Sequence, residues 1–204
     1  MAVKIKLTKN EFKKQKDSLK RFQRYLPTLV LKKQQLLAEI RRIQDSINDL
    51  SQKKKEQEED IKKWVDVFSE EISIEELFKV AQVKTSIGNI AGSDIPLFEE
   101  VIFEEKEYSF SAYPFWVDKG LEALKSIASI NAELDVLEKQ QEIIKEELRL
   151  TVQRINLFEK IKIPQAKEAI RKIRIFLGDL QTAEVVRGKI SKAKLEKKKL
   201  LAQT

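Results

Sequence analysis

The 204-residue chain carries 40 lysines and arginines against 33 acidic residues, with 42% apolar residues, five glycines and four prolines. It has no cysteine and no histidine, which excludes disulfides, thiolate chemistry, imidazole metal ligation and histidine acid–base catalysis. A charge-rich, glycine-poor profile of this kind belongs to long helices rather than to a compact mixed fold. Nowhere do about 18 uncharged residues run together, so no membrane span is expected. Met1 to Asn10 alternates lysines with other residues and does not read as a secretory signal.

The net charge of +7 is unevenly spread. Met1 to Arg24 holds nine basic and two acidic residues, and Arg187 to Thr204 holds seven and one. Ser69 to Glu147 holds 18 acidic and seven basic residues. Both ends are basic around an acidic middle, and ends lying side by side would make one basic tip.

From Phe12, steps of three and four residues give Phe12, Gln15, Leu19, Phe22, Leu26, Leu29, Lys33, Leu36, Ile40, Ile43, Ile47 and Leu50. They continue through Lys54, Gln57, Ile61, Trp64 and Phe68. Thirteen of these 17 positions are apolar and the phase never slips, which is a coiled-coil signal. The helix would be roughly 85 Å long at about 1.5 Å per residue.

Ser69 to Ala81 reads as a short helix capped by Ser69. Val83 to Ile90 and Ile95 to Phe103, around Ala91-Gly92-Ser93-Asp94, read as a β-hairpin. Tyr108 to Trp116 is aromatic and broken by Pro114, so it reads as a packed loop, with Asp118 capping the second long helix. In that helix Ile127, Ile130, Leu134, Leu137, Gln141, Ile144, Leu148, Thr151, Ile155 and Phe158 keep the same spacing. Past Pro164 a new phase appears at Ile163, Ala166, Ile170, Ile173, Leu177 and Leu180, which predicts a local bend or a change in supercoil.

Each long helix buries a stripe and needs a partner at this length. The expected fold is therefore dominated by α-helix: a long antiparallel two-helix coiled coil made of residues 1–68 and 119–204. Residues 69–118 form its central insert, a short helix plus the hairpin. Folding back at Phe68 and Lys119 places Pro27 and Pro164 at nearly one height, where a shared bend is expected.

No catalytic constellation emerges. Gly188-Lys189 lacks the upstream glycine and following hydroxyl residue of a phosphate loop. Glu70-Glu71 and Glu104-Glu105 read as solvated faces. The aromatics Tyr108, Phe110, Tyr113, Phe115 and Trp116 sit in an acidic neighbourhood that would repel phosphate, which favours a core or protein-interface role over base stacking. The lysines of Arg187 to Lys199 have no interleaved aromatics and read as a solvated helix end or as the lining of an acidic protein socket. Lys33, Lys54 and Gln57 interrupt the stripe, either as tolerated polar positions with stems along the seam or, for Lys54 and Gln57, as the docking place of a third element.

Several segments resemble the D-type family of V-type (A/V-type) rotary ATPase subunits, the central-stalk shaft. These are Ile5-Lys6-Leu7-Thr8-Lys9, Leu26-Pro27-Thr28-Leu29, Lys32-Lys33, Leu36-Leu37, Arg154 to Glu159, Ile163-Pro164 and Ile170 to Leu177. In the middle, Asn89 to Gly92 with Ile95-Pro96 is similar to the family's hairpin segment, and Pro114 to Asp118 to its entry into the second long helix. Thr182 to Gly188 departs from the family in being less charged.

The resemblance implies a non-catalytic component without cofactor or metal, cytoplasmic and peripheral to the membrane, that transmits torque. Its implied partners are a hexamer of catalytic and regulatory subunits (A and B type), a small central-stalk subunit (F type) and a membrane-rotor connecting subunit (C/d type). No nucleic acid is expected. Lys6, Lys9, Lys13, Arg21, Arg24, Arg187, Lys192 and Lys194 would form the hexamer-facing tip. Leu26, Leu29, Leu36, Ile40, Ile43, Ile47, Leu50, Ile61, Leu134, Leu137, Ile144, Leu148, Ile155 and Phe158 would form the seam, Pro27 and Pro164 the bend. Gly92, Ile95 and Pro96 would lie at a hairpin end turned toward the membrane rotor. The competing readings are a prefoldin-like coiled-coil chaperone and a nucleic-acid-binding coiled-coil arm or other scaffold.

Overall fold

A computed structural model describes residues 6–63, 77–105 and 116–201. Its elements are α1 (Lys9–Lys62), β1 (Phe78–Ile90), β2 (Ser93–Glu105), α2 (Trp116–Asn156), a π-helical turn (Leu157–Lys162) and α3 (Ile163–Leu201). They divide into two compact units, Lys32–Thr151 and Met1–Leu31 with Val152–Thr204.

α1 starts where Thr8 caps it. The Thr8 Oγ1 accepts from the Glu11 N–H at 3.2 Å and its carbonyl from the Phe12 N–H at 2.9 Å, with Glu11 in the first turn beside the helix dipole. The helix runs through Pro27. All fifteen stripe positions from Phe12 to Ile61 are buried or half-buried. Trp64 and Phe68 lie outside the described residues, as does most of the expected Ser69–Ala81 helix. Its described end corrects that expectation: Phe78 to Ala81 open β1 as a strand. Phe and Val suit a pleated, half-buried surface as well as a helix, and here they pair with β2. The Tyr108–Trp116 loop also falls outside the described residues up to 115, and Trp116 already belongs to α2. Asp118 therefore sits in the first turn of α2 rather than at its cap.

Within residues 32–151, an ion pair and side-chain hydrogen bonds join α1 to α2. Lys32 Nζ meets Glu147 Oε1 at 2.6 Å, Gln141 Nε2 donates to Gln44 Oε1 at 2.7 Å, and Gln57 Nε2 donates to Ser126 Oγ at 2.9 Å. Positions rising along α1 meet positions falling along α2, so the two run in opposite directions. Leu36, Ile43 and Ile144 are buried together with Ile95, and Ile40, Ile47, Leu137 and Leu148 pack against them.

β1 and β2 pair antiparallel around Ala91 and Gly92, whose φ values are 52° and 82°. Two successive positive φ angles make the tight turn that follows strand twist best. The Asn89 side chain braces it, accepting from the Gly92 N–H at 3.0 Å and donating to Asp94 Oδ1 at 2.7 Å. The strands are longer than the sequence suggests, and the register shifts between Val80 and Gln82 and between Lys84 and Thr85.

The hairpin lies lengthwise on α2. Leu77 at its base is buried with Val117 and Leu121, beside Phe78, Trp116 and Leu124, whereas Ile90, Ala91 and Ile95 at its tip join Ile144. Thirteen residues of strand span about 43 Å at about 3.3 Å each, close to the roughly 40 Å of α2 between Val117 and Ile144. α2 thus buries a second face, including Val136 and Gln140, and not the single stripe expected.

In the other unit, Phe22 meets Phe158 with ring centroids 5.2 Å apart. Ile155, Ala166, Ala169, Ile170 and Ile173 are buried. Leu177 is half-buried, and every residue from Gly178 to Lys198 except Ala183 is exposed.

Candidate functional site

Three surfaces are candidates for function: the contact line of α1 and α2, the hairpin lying on α2, and the basic ends. The predicted seam positions Leu26, Leu29, Leu36, Ile40, Ile43, Ile47, Leu50, Ile61, Leu134, Leu137, Ile144, Leu148, Ile155 and Phe158 are all buried or half-buried. Polar members of the line are accommodated by specific partners. Gln57 exchanges hydrogen bonds with Ser126, whose Oγ donates back to Gln57 Oε1 at 3.1 Å. The Gln57 position is thereby accounted for by α2 itself. Lys54 reaches Glu58 at 3.8 Å along its own helix. The Lys32–Glu147 pair is about a quarter exposed on each side, so solvent screens it only partly. Thr151 is fully buried at a stripe position.

Gly92, Ile95 and Pro96 stand at the turn end of the hairpin. There Ile95 is 2% exposed in the core, and the Pro96 carbonyl accepts from Gln140 Nε2 at 2.5 Å. Gly92, Ser93 and Asp94 border an open groove whose other wall is α2 from Glu142 to Leu150. Two ion pairs stiffen this region. Arg149 binds Glu146 through Nε at 2.8 Å and Nη2 at 2.7 Å, which holds the Glu146 carboxyl below the usual range. Lys84 pairs with Glu100 across the strands, which raises the lysine above its ordinary value. The outer face of the hairpin leaves Ile87 82% exposed, with Val80 and Leu97 about half exposed. Gln140 and Val136 are the residues that sequence reasoning missed. A polar Gln leaves no mark in an apolar pattern, and Val136 lies off the heptad phase.

The predicted tip residues Lys6, Lys9, Lys13, Arg21, Arg24, Arg187, Lys192 and Lys194 are all exposed. Lys13 and Arg21 share one face of α1 with Asn10, Lys14 and Asp17, and Lys16 Nζ covers the Phe12 ring at 4.8 Å. Thr8 is 14 residues before Phe22, and Ile173 is 15 residues past its neighbour Phe158, so α1 begins at about the level of Ile173. Arg187 then lies a further 14 residues along α3, about 21 Å away at about 1.5 Å per residue. The same register bears on the bend expected at the two prolines. Pro27 and Pro164 lie on opposite sides of the Phe22–Phe158 contact, about 16 Å apart along the axis. The π-turn stands at the phase slip just before Pro164, and α1 has a proline but no slip.

Among the described residues no group of three side chains is arranged to hold a metal ion, and no helix is long and apolar enough to cross a membrane.

The profile of the family of ATP synthase D subunits matches residues 11–193. A protein of Borreliella burgdorferi, named as the D subunit of a V-type ATP synthase, is 50% identical over 195 residues, covering 96% of both chains. Proteins of the same name from Chlamydia pneumoniae and Chlamydia abortus are 35% and 31% identical, each covering 98% of this chain and 97% of its relative.

Proposed function

Since this chain belongs to the family of ATP synthase D subunits, we propose that it is the central-stalk shaft of a V-type ATP synthase. It is a non-catalytic stalk component of the rotary complex, as the family's naming has it. In this reading α1 and α2–α3 form an antiparallel coiled coil that carries torque between ATP chemistry in a hexamer of A- and B-type subunits and ion movement in the membrane rotor. The observation that carries the reading is the opposed order of cross-helix contacts, Lys32–Glu147, Gln44–Gln141 and Gln57–Ser126, along a stripe without a phase slip in α1. Two long helices locked along one line resist twisting far better than either alone, because each twist must break side-chain packing.

The stagger of the ends refines the proposal. The bare, basic segment of α3 would enter the hexamer ahead of the paired helices, and Lys6 to Arg24 would stand at the level where pairing begins. Exposed long side chains in water attract weakly and over distance, which suits a part that must turn past repeated sites. An F-type subunit would bind along the paired helices and a C/d-type subunit at the fold-back end. The chain would be peripheral to the membrane on its cytoplasmic side. The prefoldin-like alternative needs hairpins free to assemble with other copies, whereas one face of this hairpin is covered by its own helices.

The test is an affinity pull-down of the tagged chain from its own cell lysate. Two nucleotide-binding subunits in equal amounts, with ATPase activity, are expected to co-elute. Recovery of unfolded clients or nucleic acid without such subunits would overturn the stalk reading.

A further inference from the structure

The stripe on α2 runs Ile144, Leu148, Thr151, Ile155, Phe158 and resumes on α3 as Ile163, Ala166, Ile170, Ile173. The step from Phe158 to Ile163 is five residues where the pattern allows four, and the π-turn Leu157–Lys162 occupies that step. A π-turn admits one extra residue without ending the helix. Without it, the phase of α2 would carry Lys162, Gln165, Ala169, Lys172 and Phe176 onto the buried face. With it, Ala166, Ile170 and Ile173 are buried together with Ala169, while Lys162, Gln165, Lys172 and Phe176 are exposed.

The insertion moves the hydrogen bonding from four residues back to five. The Ile163 N–H donates to the Phe158 carbonyl, five residues back. Pro164 has no N–H to offer the carbonyls of Glu159 or Lys160. Glu159, Lys160, Ile161 and Lys162 are all exposed, and the turn has no buried residue. On either side the helix is held, by Ile155 before the turn and by Ala166, Ala169 and Ile170 after it, while Phe158 in the first part of the turn rests on Phe22.

We propose that the π-turn Leu157–Lys162 is a compliant joint in the returning helix. Its hydrogen bonds open and re-form far more readily than those of the flanking segments, so twist applied to α2 or α3 is absorbed there and not spread along the helix. Solvent replaces the opened bonds at once because the turn is exposed, and the anchored flanks return the helix to register afterwards. The proposal concerns the chain itself and does not depend on the stalk reading.

Amide hydrogen exchange on the full chain tests it, together with two variants. Amides from Lys160 to Ile163 are expected to exchange at least about tenfold faster than those of Leu148–Arg154 and Glu168–Ile173. Deleting Lys160, an exposed residue, restores the four-residue step. It is expected to bring exchange there down to the level of the flanks. Pro164→Ala keeps the extra residue but returns one donor, and is expected to slow exchange only in part. Protection equal to the flanks in the unaltered chain would overturn the proposal, and so would fast exchange unchanged in both variants. If the shortened chain does not fold, Pro164→Ala decides alone: exchange left unchanged by it overturns the proposal.

Discussion

Ile95 offers the sharpest test of how the hairpin is seated. Its side chain is 2% exposed against Leu36, Ile43 and Ile144, whereas Ile87, on the facing strand of the same hairpin, is 82% exposed. Ile95→Ala removes three carbons. At about 0.8 kcal/mol per buried methylene the transfer loss is about 2.4 kcal/mol, and a cavity at the meeting of three elements adds about 1 kcal/mol or more. A loss of about 3–4 kcal/mol is expected, which lowers Tm by roughly 6–16 °C in a chain of this size. Ile87→Ala removes the same three carbons from a solvated site and is expected to stay within about 0.5 kcal/mol. Thermal and urea unfolding of both variants, followed by circular dichroism, measure the difference. If the hairpin opens locally, protection of its amides against hydrogen exchange falls in Ile95→Ala and not in Ile87→Ala. Equal stabilities and equal protection in the two variants would refute the placement of the hairpin on the helices.

Gly92→Ala meets no atom within 4 Å, so its effect is confined to the positive φ of 82°; a loss of about 1 kcal/mol is expected, and Gly92→Asn should lose less because Asn tolerates that conformation, as unfolding midpoints would show. The carboxyls of Glu146 and Glu168 are held low by Arg149 and Arg171. Their contribution is complete above the ordinary carboxylate value of about 4.3 and is lost as pH falls through the lowered folded-state values. Helical signal is therefore expected to be steady from pH 7 down to about 5 and to weaken below about 4, and Glu146→Gln with Glu168→Gln should flatten that decline. An unchanged acid profile in the double variant would remove these pairs from the account.

The heptad stripe was legible because each position repeats the same requirement, so Lys33 or Gln57 interrupts it without destroying the phase. The slip at Phe158 was equally legible, but its form was not: a bend, a change of supercoil and a π-turn all move the phase by the same amount in a sequence. The hairpin's turn could be read from Ala91-Gly92, yet its seat could not. That seat depends on a second face of α2 made of Val117, Leu121, Val136 and Gln140, and residues 123–134 are all half-buried, which blurs any single period. The register between helices was not legible, because periodicity fixes which face of each helix is apolar and not which residues of two helices stand opposite. Placing Pro27 beside Pro164 and joining the basic ends both rest on an assumed register.

The stagger changes what the basic residues can do. Had Lys9 and Arg187 lain side by side, their fields would have added. At about 21 Å they stand more than twice the physiological Debye length of about 8 Å apart, so the two groups act independently on whatever faces them. Lys6, Lys9 and Lys13 are near the start of α1, where the partner helix is still buried at Ile170 and Ile173. Arg187, Lys192 and Lys194 sit on a helix whose own apolar residues, Val185, Val186, Ile190 and Leu195, are half exposed or more. A helix of that kind is not stabilised by packing within the described chain. Within the described residues its helical form therefore rests on intrinsic propensity rather than on packing.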